Sequence, residues 1–597
     1  MKKFLVGFVL SMFISICYGQ ANLILAKNGK TDYVLVIGDN GSSAERNAAR
    51  QLQHYLQKIS GTSFELVAET ALAQRSRQHK IYVGRSKALL NSVNAGELKK
   101  LGGEGILIKT IGNDLFLVGG GSRGTLYAVF DFLEFNVGCK WLTAEAEIIP
   151  FKATLALKPV NRVFVPSFGY RSHYVPGAGK DAKFATILRY NGDKHPLTAE
   201  WGGKTSILGF AHTFGGIMPP IKYFKKYPEW YSDPKNGNLP AKASSNIPGA
   251  QSNQLCLTNK AMQLEFLKNT LNWISNHPDV DIISISQNDN KNYCRCSACM
   301  EVIEAEGSAA GPLLRFVNRI AEGVSENYPG KRILTLAYWY SITPPKLTKP
   351  RPNVMIWFAP IEADFGHALE TAYNKKTNTQ LLNWTAISSK NFYWGYNANF
   401  SNYLLPYPSL HHLKQDLLYL KKNKFQGVFI EDGALKSGIG YFKDMQTYVA
   451  GHLLWDPEAD YNQLVRTFML GYYGSAGDEL LAYYMLLEEA FLAKKTKLTA
   501  YNPDYRFITP EVMKKADVLF NKALAAVKHD KILLKRVRKE KIIHDYTRLF
   551  LQKQHKTTAK NADFSNFFGS LPAYGISSVE ISKYSKAVLD NQSKSVK

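Results

Sequence analysis

After its first sixteen residues, this 597-residue chain lacks any apolar run near the about 18 residues that a membrane-spanning helix needs. It also lacks internal repeats and low-complexity segments. Its one long apolar run, residues 4–16, follows Lys2 and Lys3 and precedes small and polar residues near Gln20, which is the pattern of a secretory signal peptide. We therefore predict a signal peptide over residues 1–19, a mature protein without a transmembrane segment, and a secreted, periplasmic or cell-surface location.

Acidic residues are few beside the basic ones: 49 Asp and Glu stand against 74 Lys and Arg, a formal net charge of +25. An excess of Lys and Arg suits the phosphate contacts of nucleic-acid binding. An exported protein does not meet cellular nucleic acid, however, and these lysines are spread along the chain rather than gathered in one patch. We therefore predict no nucleic-acid partner, and we relate the charge to solubility or to the attraction of acidic glycans.

Cysteine is scarce as well, with 6 in the whole chain, yet three of them stand within residues 294–299. Cys294, Cys296 and Cys299 follow the strand-like stretch "DIISISQND", and Cys256 is the nearest fourth thiol. Four thiolates can hold a structural zinc ion tetrahedrally, whereas export to an oxidising compartment favours two disulfides. The sequence leaves both possibilities open. We expect no cofactor to be required for catalysis.

Residues 20–160 alternate the signals of strands and helices. The stretch "DYVLVIG" predicts a strand, and "SSAERNAARQLQHYLQKISG" predicts an amphipathic helix that a serine begins and a glycine ends. A glycine-asparagine-aspartate turn at 112–114 joins two further strand signals as a hairpin. We therefore predict a small α/β accessory domain in this region.

Residues 165–450 change to short apolar stretches separated by longer helical or loop segments. The predicted strands lie in 168–175, 206–212, 281–289, 332–340, 353–360, 391–397 and 427–433, with an eighth candidate at 184–192. Eight such units over about 290 residues predict a (β/α)8 TIM-like barrel. The patterns that follow predict a helical C-terminal region over 451–597, so the whole chain is predicted to be of the α/β class.

Polar and aromatic residues stand at the ends of these predicted strands, and a barrel would bring them to one face. They include His212, Asn288, Asp289, Tyr338, Trp339, Glu362, Asp364, Trp394, Tyr396 and Glu431. Glycoside hydrolysis needs a protonated carboxyl group at the leaving oxygen and a second group that attacks or stabilises the anomeric carbon. Because aromatic rings also suit the C–H faces of sugars, this set in an exported barrel predicts a secreted glycoside hydrolase.

Several stretches of the chain resemble a known family. They are "HTFGGIMPPIKYFKKYPEWYS" from His212, "QLCLTN" (254–259), "QNDNKNYCRCSAC" (287–299), "LLRFVNRIAEGVSENYPGKRILTLAYWYSITPPK" (313–346), "IEADFGH" (361–367) and "HLLWDP" (452–457). They resemble the family once called domain of unknown function 4838, which is associated with glycoside hydrolase family 163, endo-β-N-acetylglucosaminidases that act on complex N-glycans in Bacteroidetes. The N-terminal region resembles the accessory α/β domain that precedes the barrel in β-hexosaminidases and α-glucuronidases.

The resemblance implies substrate-assisted retention, in which the substrate's own 2-acetamido oxygen attacks the anomeric carbon. The enzyme then supplies an acid and a group that orients the acetamide. Asp289, Glu362 and Glu431 are the catalytic candidates, with Asp289 as either acid or orienting group. The candidates for substrate binding are Asn288, His212, Arg171, Asn191, Tyr338, Trp339, Asp364, Trp394 and Tyr396. The implied partner is an oligosaccharide or the glycan of a glycoprotein.

Two alternatives remain open at this point. The N-terminal region suggests an α-glucuronidase-like glycosidase, whose inverting mechanism needs two opposed carboxylates about 6.5–9.5 Å apart around a water. The barrel could instead be degenerate and bind glycans without cleaving them. The carboxylates at the strand ends weigh against a purely binding protein, because a binding platform needs aromatic rings more than carboxyl groups.

Overall fold

The computed structural model describes residues 22–75, 78–175, 181–232, 254–435, 438–554 and 561–574. The signal peptide predicted at 1–19 lies outside the described residues. The chain forms two compact units: the N-terminal unit runs to Cys139 and includes Ile149–Phe164, and the C-terminal unit comprises Lys140–Ile148 and the chain from Val165 onward. Across the described ranges, no helix is long and apolar enough to cross a membrane.

The N-terminal unit is built on a six-stranded mixed sheet. The first strands of the chain are β1 (Leu23–Lys27), β2 (Tyr33–Ile37), β3 (Glu65–Ala68), β4 (His79–Val83), β5 (Ile106–Ile111) and β6 (Asp114–Gly119). The next two, β7 (Lys140–Trp141) and β8 (Glu147–Ile148), form a hairpin that belongs to the C-terminal unit. The chain then returns to the N-terminal unit with β9 (Thr154–Leu157) and β10 (Asn161–Phe164). The sheet order is β10-β5-β6-β4-β2-β3, while β1 pairs with β9. The antiparallel pair β5–β6 confirms the predicted hairpin.

The helices of the N-terminal unit are α1 (Ser43–Ser60), α2 (Lys87–Ser92), α3 (Ala95–Lys100) and α4 (Gly124–Asp131). Helix α1 confirms the helix predicted between a serine and a glycine. The Ser42 side chain accepts a hydrogen bond from the Glu45 N–H, and the Glu45 carboxylate accepts one from the Ser42 N–H, which is a capping box. Gly61 ends the helix in the left-handed conformation at φ 69°, where a residue without a side chain fits best.

The core of the C-terminal unit is a curled sheet of seven parallel strands. They are β11 (Tyr170–Tyr174), β12 (Ile207–Leu208), β13 (Ile282–Ser284), β14 (Arg332–Ala337), β15 (Val354–Phe358), β16 (Asn391–Asn397) and β17 (Gly427–Asp432). The sheet order is β11-β17-β16-β15-β14-β13-β12, so the first strand lies beside the last, as in a barrel. Each of the seven main predicted strands is present, and the TIM-like α/β fold is confirmed.

The eighth strand, predicted at 184–192, is wrong. The first four residues of this stretch, 184–187, belong to helix α5 (Ala182–Ile187), which begins where the Asp181 side chain accepts a hydrogen bond from the Phe184 N–H. Only the end of the stretch lies alongside β11. There the Asn191 N–H donates to the Arg171 carbonyl at 3.0 Å, and the Thr205 N–H donates to the Asn191 carbonyl at 2.7 Å. The eighth position of the barrel is therefore a short extended segment.

The remaining helices surround the barrel or follow it. They are α6 (Phe214–Ile217), α7 (Pro220–Tyr223), α8 (Lys260–Ser275), α9 (Ser297–Glu306), α10 (Ala310–Asn327), α11 (Lys375–Ile387), α12 (Leu413–Lys422), α13 (Lys443–Trp455), α14 (Tyr461–Tyr473), α15 (Gly477–Lys494), α16 (Pro510–Ala526), α17 (Lys531–Gln554) and α18 (Asn561–Ser570). Helices α14 to α18 confirm the helical C-terminal region. They belong to the same compact unit as the barrel.

Candidate active site

A pocket of about 610 Å³ opens at the carboxyl ends of the barrel strands. Six residues selected from the sequence meet in it: His212, Asp289, Tyr338, Trp394, Tyr396 and Glu431. The strands β16 and β17 supply Trp394, Tyr396 and Glu431, while Asp289 follows β13. The ends of separate parallel strands thus converge on one cavity, which is where the active sites of this type of barrel lie.

Glu431 lies one residue before the end of β17, with its carboxyl group partly buried in the pocket wall. The Trp394 Nε1–H donates a hydrogen bond to Glu431 Oε2 at 3.1 Å. Burial raises the pKa of Glu431 to about 7, although Trp394 and the Lys194 ammonium group favour the carboxylate. Glu431 can therefore hold a proton near neutral pH and release it in the same range, as a general acid must.

Asp289 lies exposed at the edge of the same pocket. The Tyr338 hydroxyl donates to Asp289 Oδ1 at 2.8 Å, and the Trp339 Nε1–H approaches the same oxygen at 3.4 Å. The charge of Asp289 contributes to the raised pKa of Glu431, so the two groups interact electrostatically. One pocket thus holds a partly buried carboxyl group with a raised pKa and a hydrogen-bonded carboxyl group in a more polar setting, and such pairs divide the acid and partner roles of glycosidases.

The stretch from Gly209 to His212 forms one wall of the pocket with an uncommon backbone. The φ angle is +52° at Phe210 and +58° at His212. Left-handed conformations at residues other than glycine cost about 1–3 kcal/mol each and cluster at functional sites. This backbone packs the Phe210 ring 5.4 Å from the Trp394 ring and 5.3 Å from the Phe429 ring, and it places His212 in the pocket.

A lysine adds a positive charge to this wall. Lys194 Nζ lies 3.8 Å from the centroid of the Phe210 ring and 5.5 Å from that of Tyr174. Burial lowers the pKa of Lys194, while the charges of Asp193 and Glu431 oppose this change. The ammonium group therefore stands close enough to Glu431 to affect its proton affinity.

Asp432 follows Glu431 in β17 but has a different role, because successive side chains of a strand point to opposite faces. His173 Nε2 and Asn397 Nδ2 each lie 2.9 Å from Asp432 Oδ2, and the Lys443 ammonium group binds Oδ1. Burial alone would raise the pKa of Asp432, but Lys443 and His173 hold it below its ordinary value. Asp432 is thus an ionised, fully buried anchor that fixes the end of the strand on which Glu431 stands.

Hydrogen bonds between the segment after β12 and the segment after β13 hold His212 and Asn288. His212 Nδ1 lies 2.8 Å from the Gln287 carbonyl oxygen, so Nδ1 donates, and in the tautomer that carries its proton on Nδ1 the Nε2 atom is an acceptor. The Asn288 side-chain oxygen accepts a hydrogen bond from the Gly215 N–H at 2.9 Å, and Asn288 is buried. His212 can therefore accept a hydrogen bond from a sugar hydroxyl, whereas Asn288 holds the loop in place.

Residues 141–485 match the family described as "Domain of unknown function (DUF4838)". This match spans more than half of the chain. The protein belongs to the DUF4838 family. This membership confirms the resemblance to the DUF4838 family that the motifs of the barrel region indicated. Comparison with curated proteins finds no significant match.

Solved structures similar to the DUF4838 protein include glycoside hydrolases. One is described as "A novel family GH115 4-O-Methyl-alpha-glucuronidase, BtGH115A, with specificity for decorated arabinogalactans"; its TM-score is 0.56 at 11% identity, covering 95% of this chain and 77% of that one. The Flavobacterium johnsoniae chitobiase FjGH20 has a TM-score of 0.44 at 12% identity, covering 92% and 93%. The Streptomyces plicatus N-acetyl-β-hexosaminidase has 0.43 at 11%, covering 76% and 92%. At 11% identity, the similarity to the GH115 enzyme shows a shared fold.

Three candidates of the DUF4838 protein line a neighbouring cavity of about 300 Å³: Trp339, Glu362 and Asp364. The Glu362 side chain is 61% exposed and forms an ion pair of 2.7 Å with Lys291, which also lies 4.0 Å from the centroid of the Trp339 ring. Asp364 is buried and accepts hydrogen bonds from two backbone N–H groups at 2.9 and 3.0 Å. The structure therefore brings Asp289 and Glu431 together and leaves Glu362 outside their pocket.

Arg171 and Asn191 are fully buried and do not line the pocket. The Arg171 guanidinium group donates to the Phe168 carbonyl at 2.6 Å and to the Arg189 carbonyl at 3.0 Å. The Asn191 side chain accepts from the Arg171 N–H at 2.8 Å and donates to the Gly169 carbonyl at 2.9 Å. These contacts give both residues a place in joining β11 to the adjacent segment of the barrel.

Sequence reasoning missed several aromatic residues of the DUF4838 pocket. Phe400 and Tyr403 follow β16, and Tyr501 comes from the connection between α15 and α16. The Phe400 ring lies 5.9 Å from the Tyr396 ring and 5.6 Å from the Tyr501 ring. The run of aromatic residues after β16 was the available signal for Phe400 and Tyr403. Tyr501 had none, because the packing of the helical region on the barrel brings it there.

Proposed function

We propose that this DUF4838 protein is a glycoside hydrolase in which Glu431 is the general acid and Asp289 its partner. The observation that carries the proposal is the position of both groups in one aromatic pocket at the carboxyl ends of the barrel strands. Glu431 gives its proton to the glycosidic oxygen as the bond from that oxygen to the anomeric carbon breaks. The rings of Trp394 and Tyr396 offer faces for the C–H groups of the sugar.

The finer proposal is an endo-β-N-acetylglucosaminidase that acts on N-glycans by substrate-assisted retention. The 2-acetamido oxygen bonds to the anomeric carbon while the glycosidic oxygen leaves with the Glu431 proton. Water then attacks the same carbon while the bond from that carbon to the acetamide oxygen breaks and restores the acetamide, and the Glu431 carboxylate takes a proton from that water. Asp289, held by Tyr338, accepts a hydrogen bond from the acetamide N–H and so directs the acetamide oxygen. The motif resemblance supports this choice, and the signal-peptide pattern supports action outside the cytoplasm.

Mass spectrometry of the products tests this proposal. The purified chain is mixed with a glycoprotein that carries complex N-glycans, and both the released sugars and the protein are analysed. We expect free glycans that end in one N-acetylglucosamine and a protein that keeps one N-acetylglucosamine on each cleaved asparagine. Binding of the glycan without any release would instead support the glycan-binding alternative, and release of the whole glycan from asparagine would contradict the bond assignment.

The pH dependence of kcat/KM is expected to show an alkaline limb near pH 7. Glu431 must be protonated to act, and its pKa is about 7, so activity falls as the pH rises through that value. Trp394→Phe removes a hydrogen bond that favours the Glu431 carboxylate, so the pKa should rise and the limb should move to higher pH. Initial rates measured on both sides of pH 7 give the position of the limb.

A tryptophan outside the pocket provides the control for this experiment. The Trp384 Nε1–H donates to the Ile342 carbonyl at 2.8 Å, so Trp384→Phe removes a comparable hydrogen bond elsewhere in the barrel. This variant should keep the limb of the wild type. A limb that stays fixed or moves to lower pH in Trp394→Phe would contradict the role of Glu431.

Lys194 favours a second candidate, a glycosidase for uronic acids. Its ammonium group lines the pocket near Glu431 and would pair with the carboxylate of such a sugar. This candidate retains Glu431 as the acid but uses no acetamide group. It corresponds to the α-glucuronidase-like alternative drawn from the sequence.

Two aryl glycosides, one of N-acetylglucosamine and one of glucuronic acid, separate these candidates. We expect the wild type to release the phenol from the aryl N-acetylglucosaminide and not from the aryl glucuronide. Lys194→Met should then retain cleavage, and its alkaline limb should move to higher pH because a charge that favours the Glu431 carboxylate is gone. Cleavage of the glucuronide alone, with a KM that rises about tenfold or more in Lys194→Met, would favour the uronic acid, since a charged hydrogen bond contributes about 1.5–3 kcal/mol.

A further inference from the structure

Four thiols of the C-terminal unit lie outside the catalytic pocket and meet at one point. This four-cysteine cluster consists of Cys256, Cys294, Cys296 and Cys299, and all their sulfur atoms lie within 4.8 Å of one another. Cys296 is exposed and the other three are buried. None of the four is in a disulfide. The segment before α8, the loop before α9 and the first turn of α9 thus contribute to a single cluster.

The spacing of the sulfur atoms fits a tetrahedral zinc ion. Cys256 Sγ lies 3.7 Å from Cys296 Sγ and 4.0 Å from Cys299 Sγ. With zinc–sulfur bonds of about 2.3 Å, the sulfurs of a tetrahedral site stand about 3.8 Å apart. Four protein ligands fill the coordination sphere and leave no position for a water, so the geometry is that of a structural site rather than a catalytic one.

The cluster lies at the start of α9, beside a threonine hydroxyl group. Cys296 is the N-cap of α9 and Cys299 lies in its first turn, so two of the four ligands come from the start of one helix. The Thr258 hydroxyl lies 3.1 Å from Cys299 Sγ and 3.7 Å from Cys256 Sγ. A hydroxyl in this position can donate a hydrogen bond to a ligand sulfur and support the coordination from outside.

The cluster adjoins the loop that carries Asp289. Gln254 Nε2 donates to the Asn288 carbonyl at 2.7 Å, and the Asn288 N–H donates to Gln254 Oε1 at 3.1 Å. The same two segments therefore meet through this amide pair at one end and through the four-cysteine cluster at the other. Linking the cysteines would hold the backbone on both sides of Asp289.

We propose that the four-cysteine cluster binds one structural zinc ion and that this ion fixes the loop of Asp289. Binding releases the protons of the coordinating thiols to solvent and needs no oxidant. The zinc site itself stands independently of the enzyme's reaction. Only its consequence for Asp289 rests on the proposed glycosidase function.

The metal content of the purified full chain tests the site. Mass spectrometry of the elements, after extensive dialysis, is expected to find one zinc ion per chain. Cys139→Ala is the matched control and should keep that stoichiometry, because Cys139 lies in the N-terminal unit. Cys256→Ser and Cys299→Ser should each lose nearly all zinc, while circular dichroism shows whether the variant chain is folded.

A cobalt experiment on the wild type needs no variant. Co²⁺ added to the zinc-stripped chain should give a thiolate-to-cobalt charge-transfer band and the intense d–d bands of a tetrahedral site. Removal of zinc by a chelator should also lower the unfolding temperature, and zinc alone should restore it. Neither readout depends on glycosidase activity, so a chain with zinc and no activity would retain the site and reject the proposed function.

Three results would overturn the site. One is a chain without zinc whose intact mass is about 4 Da below that of the fully reduced chain, because four hydrogens are lost when two disulfides form. The second is a zinc-free chain with unbonded thiols and no cobalt spectrum. The third is full zinc content in both cysteine variants, which would place the metal elsewhere.

Discussion

Replacing Glu431 by Gln is expected to lower kcat on an N-glycan about 10²–10⁴-fold. The amide cannot protonate the glycosidic oxygen, but it keeps the size of the side chain and an oxygen that can accept the Trp394 hydrogen bond. The variant should therefore fold and bind glycan as the wild type does, and the loss should lie in kcat rather than in KM. Rates of glycan release and thermal unfolding curves measure these two properties.

A substrate with a good leaving group separates the loss of an acid from a general loss of structure. An aryl glycoside whose phenol leaves without protonation should be cleaved by Glu431→Gln with a much smaller loss. Glu362→Gln is the matched control, because Glu362 is 61% exposed and paired with Lys291, and its rate should change by no more than about twofold. A large loss in Glu362→Gln with little change in Glu431→Gln would assign the acid to Glu362.

The strand β17 shows how neighbouring acids acquire different chemistry. Asp432 is surrounded by His173, Asn397 and Lys443, and it keeps its charge despite burial. Glu431, on the opposite face, accepts one hydrogen bond from Trp394, and among the described contacts it forms no direct ion pair with Lys194. The effect of burial is therefore larger than the effects of these two residues, and the pKa of Glu431 rises. Strand alternation therefore places a fixed anchor and a proton donor at consecutive positions.

The barrel strands could be predicted because they are buried on both faces. Every residue of β15 and β16 is buried, so runs of apolar and aromatic residues, rather than alternation, mark these strands in the sequence. The strand ends also predicted that Asp289 and Glu431 lie on one face, and both line one pocket. The stretch 184–192 also begins with apolar residues, but helix α5 uses residues 184–187, and a short apolar run does not distinguish the two structures.

The difference between Glu362 and Glu431 could not be predicted, since both are glutamates that follow or end an apolar strand. Their environments depend on distant parts of the chain: Lys291 pairs with Glu362, and Trp394 donates to Glu431. Likewise, no sequence pattern identifies Lys194 as a residue of the pocket. Sequence periodicity identifies elements and the ends of strands, whereas burial and partners come from tertiary packing.

Replacing Asp289 by Asn is expected to give the second large loss, about 10²–10³-fold in kcat. Asparagine keeps the shape and an acceptor for the Tyr338 hydroxyl, but it removes the charge that strengthens the hydrogen bond from the acetamide N–H as the acetamide oxygen attacks. The loss should be similar for the N-glycan and for the aryl glycoside, because acetamide attack is needed whatever the leaving group. Rates on both substrates give this comparison.

The opposite end of the same strand offers the control for Asp289→Asn. Asp281 precedes β13, its side chain is 71% exposed, and it lies 3.5 Å from Lys331 Nζ, so Asp281→Asn should leave the rate near that of the wild type. The charge of Asp289 raises the pKa of Glu431, so its removal should also move the alkaline limb to lower pH, opposite to the shift expected for Trp394→Phe. A loss confined to substrates with poor leaving groups, together with an unmoved limb, would make Asp289 the acid and leave Glu431 as its partner.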